Sequence, residues 1–128
     1  MDPLNRGLLS VLVVDDHPQQ RYGTARTLRA AGYKTMEAAS GSEALEFAEY
    51  VAAVVLDIHL PDVMGFEVCR LLRKDPRTSS VPIVHITAMY LSEEDHWESR
   101  KSGADAYFTS PADPAQLVAT IDELIRMR

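Results

Sequence analysis

Hydrophobic positions along the chain follow two alternating patterns. Five short, largely apolar runs stand at 9–14 (LSVLVV), 33–38 (YKTMEA), 52–57 (AAVVLD), 82–87 (PIVHIT) and 105–109 (DAYFT). Between them lie longer segments whose apolar residues recur at helical spacing. Continuous β-branched runs suit strands buried on both faces, and helical segments between them supply the cover, so the alternation predicts an α/β fold with a doubly wound, five-stranded parallel sheet. The run at 33–38 alternates in polarity and is expected nearer a sheet edge.

Local signals bound the helices. The first is expected over about Pro18 to Ala31, opened by a proline in its first turn and stopped at Gly32. Ser40 with Glu43 forms a capping box for a short second helix carrying Ala44, Leu45 and Ala48. A third opens at Gly65, presents Phe66, Val68, Cys69, Leu71 and Leu72, and ends at Asp75, which precedes Pro76. The last is capped by Asp113 with Pro114 first, and Leu117, Val118, Ile121, Leu124 and Ile125 form its apolar stripe. The fourth, 92–103, has Ser92 as a cap but offers only Trp97 as a large apolar residue. A helix that buries so little is expected to be the least stable element.

A chain of 128 residues, 46% hydrophobic and 25% charged, fits one domain: residues 9–128, with 1–8 expected as a flexible N-terminal segment. The net charge of −6 and the lack of a basic face argue against direct nucleic-acid binding. No segment reaches the roughly 20 apolar residues of a membrane span. The run LLSVLVV passes directly into Asp15 and Asp16 without a cleavage site, so it reads as a strand and not as a signal peptide. The single cysteine, Cys69, excludes an internal disulfide and reads as a packed core thiol, which makes a reducing cytoplasm the expected compartment.

Candidate chemistry lies at the strand ends. Ligands of open α/β sheets bind beyond the carboxyl ends of the strands. Asp15 and Asp16 end the first strand, Asp57 the third and Thr87 the fourth. Taken singly, each aspartate is more often a turn residue or a helix cap. If those strands are neighbours, the carboxylates converge and repel by about 4 kcal/mol per close pair at an effective dielectric near 20, unless a cation lies between them. An all-oxygen set selects a hard ion such as Mg²⁺. His17, His59 and His85 show no pair at ligand spacing, so His85 reads as a core residue and the other two as rim residues.

The segments VLVVDDHP, VVLDIHLPDVMGFEVCRLLR, VPIVHITA and GADAYFTSP together resemble the receiver domain of bacterial two-component response regulators, over almost the whole chain. The resemblance implies a flavodoxin-like (βα)5 fold with strand order 2-1-3-4-5. It also implies a phosphorylation switch, in which Asp57 accepts a phosphoryl group from a histidine kinase or a histidine phosphotransfer protein. Asp15, Asp16, Asp57 and the backbone carbonyl of His59 would hold Mg²⁺. Thr87 and Tyr107 would be the switch residues, and Gly65 would give backbone freedom in the LPDVMG turn. The implied output is a downstream protein docking on the face of helix four, strand five and helix five, with a homodimer as a further arrangement.

One position departs from the family. The residue before the proline after the fifth strand is ordinarily a lysine, and here it is Ser110, followed by a bond expected to be cis. With Mg²⁺ and a phosphoryl group in place, the site would carry about −2 instead of about −1. A charge-assisted hydrogen bond of the missing kind contributes roughly 1.5–3 kcal/mol, so a weaker coupling of phosphorylation to the active conformation is expected. Ser99 and Arg100 also stand where the family has small and apolar core residues, which makes the output face unusual, with Tyr90 or Trp97 as a partner anchor or, alternatively, Trp97 as a core residue. Competing readings are a pseudo-receiver that binds or dimerises without phosphorylation, a dehalogenase-like phosphatase, which would want an acid where His59 stands, and a flavodoxin, which would want a phosphate cradle where DDHPQQ stands.

Overall fold

The computed structural model describes residues 4–88 and 92–128. Tyr90, expected as a partner anchor, lies outside them. The chain alternates β1 (Ser10–Val14), α1 (Pro18–Ala30), β2 (Lys34–Ala38), α2 (Gly41–Phe47), β3 (Ala53–Asp57), α3 (Gly65–Lys74), β4 (Ile83–Thr87), α4 (Glu93–Ser102), β5 (Ala106–Thr109) and α5 (Pro114–Arg126). The strands form one sheet in the order β2-β1-β3-β4-β5, every neighbouring pair parallel. The expected class and strand order are both observed.

Strand alternation sends the core to two sides. Leu12, Val14, Val54, Leu56 and Ile83 pack with Ala44, Val68, Cys69 and Leu72 of α2 and α3. Val11, Val13, Val55, Val84 and Ile86 pack with Ala25 and Leu28 of α1 and with Leu117 and Ile121 of α5. Each such large side chain, removed from water, stabilises the fold by about 1.5–3 kcal/mol. β3 and β4 are buried along their whole length, whereas β2 and β5 are edges with exposed positions. Cys69 is fully buried, and burial pushes its thiol pKa up.

One expected cap takes a different form. Ser40 Oγ accepts from Glu43 N at 3.2 Å, but Glu43 reaches back to Ala39 N at 3.1 Å instead of Ser40 N. Asp62 takes the next two donors of α2, Gly41 N at 2.9 Å and Ser42 N at 3.0 Å, which pins the loop after β3 to α2 and holds the Asp62 carboxyl below its usual range. The segment 1–8, expected to be flexible, is docked where it is described. Arg6 donates to Asp122 through Nε at 3.1 Å and to the Ala31 carbonyl at 2.9 Å, and Tyr33 donates to Asp122 at 2.5 Å. Burial alone would raise the Asp122 pKa, but the hydrogen bonds from Arg6 and Tyr33 pull it below its ordinary value. A lone arginine in a terminal segment gives no sign of so distant a partner.

α4 matches its sparse pattern. Ser92 and Asp95 form a complete capping box and Gly103 ends the helix in the left-handed region, φ 107°. Its buried residues are Ser99 and Ser102, and Trp97 is 57% exposed. Ser99 hydrogen-bonds at 2.6 Å to Nδ1 of His85, a β4 residue with no exposed surface. Burial pushes the His85 pKa down to about 4. The unfolded chain takes up this proton near pH 6.5, whereas the folded chain resists it down to about pH 4, so this contribution is whole above pH 6.5 and is lost on acidification. Chemical denaturation from about pH 7 to about pH 4.5 should therefore cost the protein about 2 kcal/mol more than it costs the non-titrating variant His85→Gln.

Candidate phosphoacceptor and metal site

The site follows from strand register. β1 pairs with β3 through Val14↔Leu56, so one step further along both strands Asp15 comes to lie beside Asp57. β3 pairs with β4 through Asp57↔Ile86, which brings Thr87 to the next position. The ligand atoms of Asp15, Asp16, His17 and Asp57 all lie within 4.8 Å of one another. Asp15 and Asp57 are 4% and 5% exposed, so the charges repel with little water between them. Burial first, and the Asp15 charge second, push the Asp57 pKa up to about 6 against the hydrogen bond it accepts from His59 N at 3.1 Å.

Hydrogen bonds to its backbone and carboxylate hold Asp15 in place. Asp15 N donates to the Ala38 carbonyl at 3.0 Å, Asp15 Oδ1 accepts from His17 N at 2.9 Å, and the Asp15 carbonyl accepts from Arg21 at 2.8 Å. Among the described residues, no lysine or arginine forms an ion pair with the three carboxylates. His17 brings a ring nitrogen within ion-pair distance of two of them, its Nδ1 lying 3.5 Å from Asp15 and 3.2 Å from Asp16. The expected rim position of His17 holds, since its side chain is 70% exposed, but its approach to both carboxylates was not legible from spacing.

The donors fit a hard divalent ion. Asp16 Oδ1, the oxygen that His17 Nδ1 approaches at 3.2 Å, is inaccessible to solvent and accepts no hydrogen bond among the described residues, an arrangement a cation would relieve. The carboxylate oxygens converge from two strand ends, and no thiolate stands among them.

Gly65 acts differently from expectation. Its φ is not among the positive ones, so the turn does not draw on glycine's conformational freedom. A Cβ there would instead meet the Asp57 carbonyl at 2.5 Å and Ile58 Cα at 2.8 Å. The requirement is close approach: α3 begins hard against the backbone of Asp57, and Gly65 N donates to the Ile58 carbonyl at 2.7 Å.

Thr87 is buried at the end of β4, its Oγ1 3.4 Å from His59 Nδ1. Tyr107 lies outside the acidic cluster, 36% exposed, with its hydroxyl 3.0 Å from His96 Nδ1 and the two rings 4.2 Å apart. Ser110 follows β5 and precedes a cis peptide bond to Pro111. Its backbone N donates to the Thr87 carbonyl at 2.6 Å, and its hydroxyl accepts from Gln20 Nε2 at 2.9 Å. Gln20 was not singled out from sequence; its position three residues after His17, in the first turn of α1, carries the amide to the loop after β5. A cavity of about 620 Å³ opens beside this pair, with Gly23, Thr24 and Pro111 in its walls.

Fold, site and sequence comparison agree on the class. Residues 11–122 match the response regulator receiver domain, and the chain belongs to that family, a family of signalling switches. It is 35% identical over 118 residues to the DNA-binding dual master transcriptional regulator RpaA of Synechocystis, covering 91% of this chain but 48% of that protein. It is 32% identical over 117 residues to protein PilH of Pseudomonas aeruginosa, covering 90% of this chain and 96% of PilH. The chain thus spans about half of one relative and nearly all of another. The receiver domain of a sensor histidine kinase from Pseudomonas aeruginosa, solved with a magnesium ion in its active-site cleft, is 28% identical, with a TM-score of 0.83 over 92% of this chain and 98% of that one. Among the described residues, no helix is long and apolar enough to cross a membrane.

Neutralising one carboxylate should relieve the repulsion. Asp57 protonates more readily folded than unfolded, so its contribution is whole below pH 3.8 and is lost as pH rises through about 6. In metal-free buffer near pH 7.5, Asp57→Asn should be more stable than the parent by about 2 kcal/mol, allowing for solvent screening at the open mouth, as read by urea denaturation. Below about pH 4 the advantage should vanish.

Proposed function

We propose that this chain is a phosphorylation switch in which Asp57 is the acceptor. An Asp57 carboxylate oxygen attacks the phosphorus of a phosphohistidine on a partner kinase or phosphotransfer protein. The P–N bond breaks as the P–O bond forms, and the imidazole leaves with the electron pair and takes a proton. The observation that carries this reading is the convergence of Asp15, Asp16 and Asp57 within 4.8 Å at the carboxyl edge of the sheet, with Asp57 buried. Asp15, Asp16, Asp57 and the His59 carbonyl would hold Mg²⁺, which when bound offsets charge on the carboxylates and on the phosphoryl oxygens. His59 N holds Asp57 Oδ1, leaving its other oxygen as the nucleophile. Thr87, one step along β4, would donate to a phosphoryl oxygen, with Tyr107 repacking as it moves.

Ser110 sets this chain's particular behaviour. A neutral hydroxyl already held by Gln20 cannot bring a positive charge to the phosphoryl group. Phosphorylation is therefore expected to proceed, with a phospho-state less strongly coupled to the active conformation. The output face is that of α4, β5 and α5, where Trp97 is exposed, and the compartment is the cytoplasm. The Gln20–Ser110 contact also favours a second reading, a pseudo-receiver that binds partners without phosphorylation.

Intact mass after incubation with acetyl phosphate and Mg²⁺ separates the two. A phosphoryl adduct is expected on the native chain and absent from Asp57→Asn. Ser110→Lys should lengthen its lifetime by about tenfold or more. No adduct from acetyl phosphate or from phosphorylated kinases would leave the pseudo-receiver as the account.

A further inference from the structure

His85 is a buried titratable group that the proposed chemistry does not use. It has no exposed surface, and Phe66 packs edge-on against its ring at 5.6 Å and 77°. Its Nε2 lies 3.3 Å from the Gly65 carbonyl, and its Nδ1 lies 2.6 Å from Ser99 Oγ. A carbonyl can only accept, so Nε2 carries the proton, and the Ser99 hydroxyl donates to Nδ1. One neutral imidazole thus connects the start of α3 to the middle of α4, two helices also joined further along by the Arg70–Glu98 ion pair and by Arg73 Nε donating to the Gly103 carbonyl at 2.9 Å. On one side stands Gly65, pressed against the Asp57 carbonyl. On the other stands α4, whose buried residues are Ser99 and Ser102.

We infer that His85 is a positioning residue that ties α4 to the loop after Asp57, so that α4 follows the state of the acceptor through the Gly65–His85–Ser99 hydrogen bonds. An apolar contact tolerates sliding by fractions of an ångström. A hydrogen bond between fully buried groups is directional and has no water to replace it, so it is either kept or broken. A shift of Gly65 on phosphorylation must therefore carry Ser99 with it or release it, which is the two-state behaviour that coupling requires. The inference rests on Asp57 being the acceptor, and it adds a route to α4 beside Thr87 and Tyr107.

The chain's single tryptophan reports the outcome directly, because Trp97 stands two residues before Ser99 and is exposed. Trp97 emission is followed on addition of acetyl phosphate and Mg²⁺, with intact mass read on the same samples. The native protein and His85→Gln, which keeps a donor and an acceptor, should both show an emission change. His85→Met and Ser99→Ala should take up the phosphoryl group while the change falls by about fivefold or more. Ser99→Ala leaves His85 and the core volume in place, so the test survives a His85→Met that fails to fold. A full Trp97 response in phosphorylated Ser99→Ala or His85→Met overturns the inference, as does a phosphorylated native protein with no response. Absence of any adduct on the native protein removes the acceptor reading itself, and this inference with it, and the mass spectrum distinguishes that case.

Discussion

Repulsion among carboxylates at the ends of β1 and β3 is the constraint around which the rest of the molecule is arranged. Parallel register leaves little choice: if Val14 pairs with Leu56, the next residues along both strands are Asp15 and Asp57. Five apolar strands and two helical layers hold those residues against a mutual repulsion of about 4 kcal/mol per close pair. The fold tolerates this because β3 and β4 are buried throughout and their packing is not negotiable at the strand ends. Such crowding of charge is what a cation bound between the carboxylates would relieve.

The response has to travel outward through whatever touches the strand ends. Gly65 lies against the Asp57 carbonyl, His85 bridges Gly65 to Ser99, and Ser110 joins Thr87 to Gln20. Apart from the close approach of Gly65 to Asp57, those links are neutral hydrogen bonds. At the position where the resemblance leads to the expectation of a lysine, the Ser110 hydroxyl is bound to the Gln20 carboxamide, and the buried residues of α4 are serines, one of them held by the His85 imidazole. The result is a receiver whose acidic site is intact and whose connections to the surface are polar and individually weak.

Much of this is legible in the sequence. Strands, helices and their succession along the chain follow from apolar runs punctuated by caps and acids, because local periodicity reflects burial directly, whereas the strand order that brings Asp15, Asp16 and Asp57 together followed only from the resemblance to receiver domains. What resisted reading depends on pairs distant in sequence. Arg6 finds Asp122, Gln20 finds Ser110, and Asp62 caps α2. Each is a polar residue with an unremarkable local context, and its partner is chosen by the fold. Gly65 was found for the wrong reason, since a sequence marks a glycine without saying whether it serves an unusual dihedral or a close approach. Ser99 stood out only as an odd residue at a core position, and it became intelligible once His85 was seen beneath it.

Calorimetric titration with Mg²⁺ addresses the founding constraint most directly, comparing the protein with Asp15→Asn near neutral pH. Saturable binding of one ion in the millimolar range, weakened by about tenfold or more in Asp15→Asn, is the result expected of carboxylates held together against their charge. Heats no greater than dilution, or the same affinity in both proteins, would contradict it.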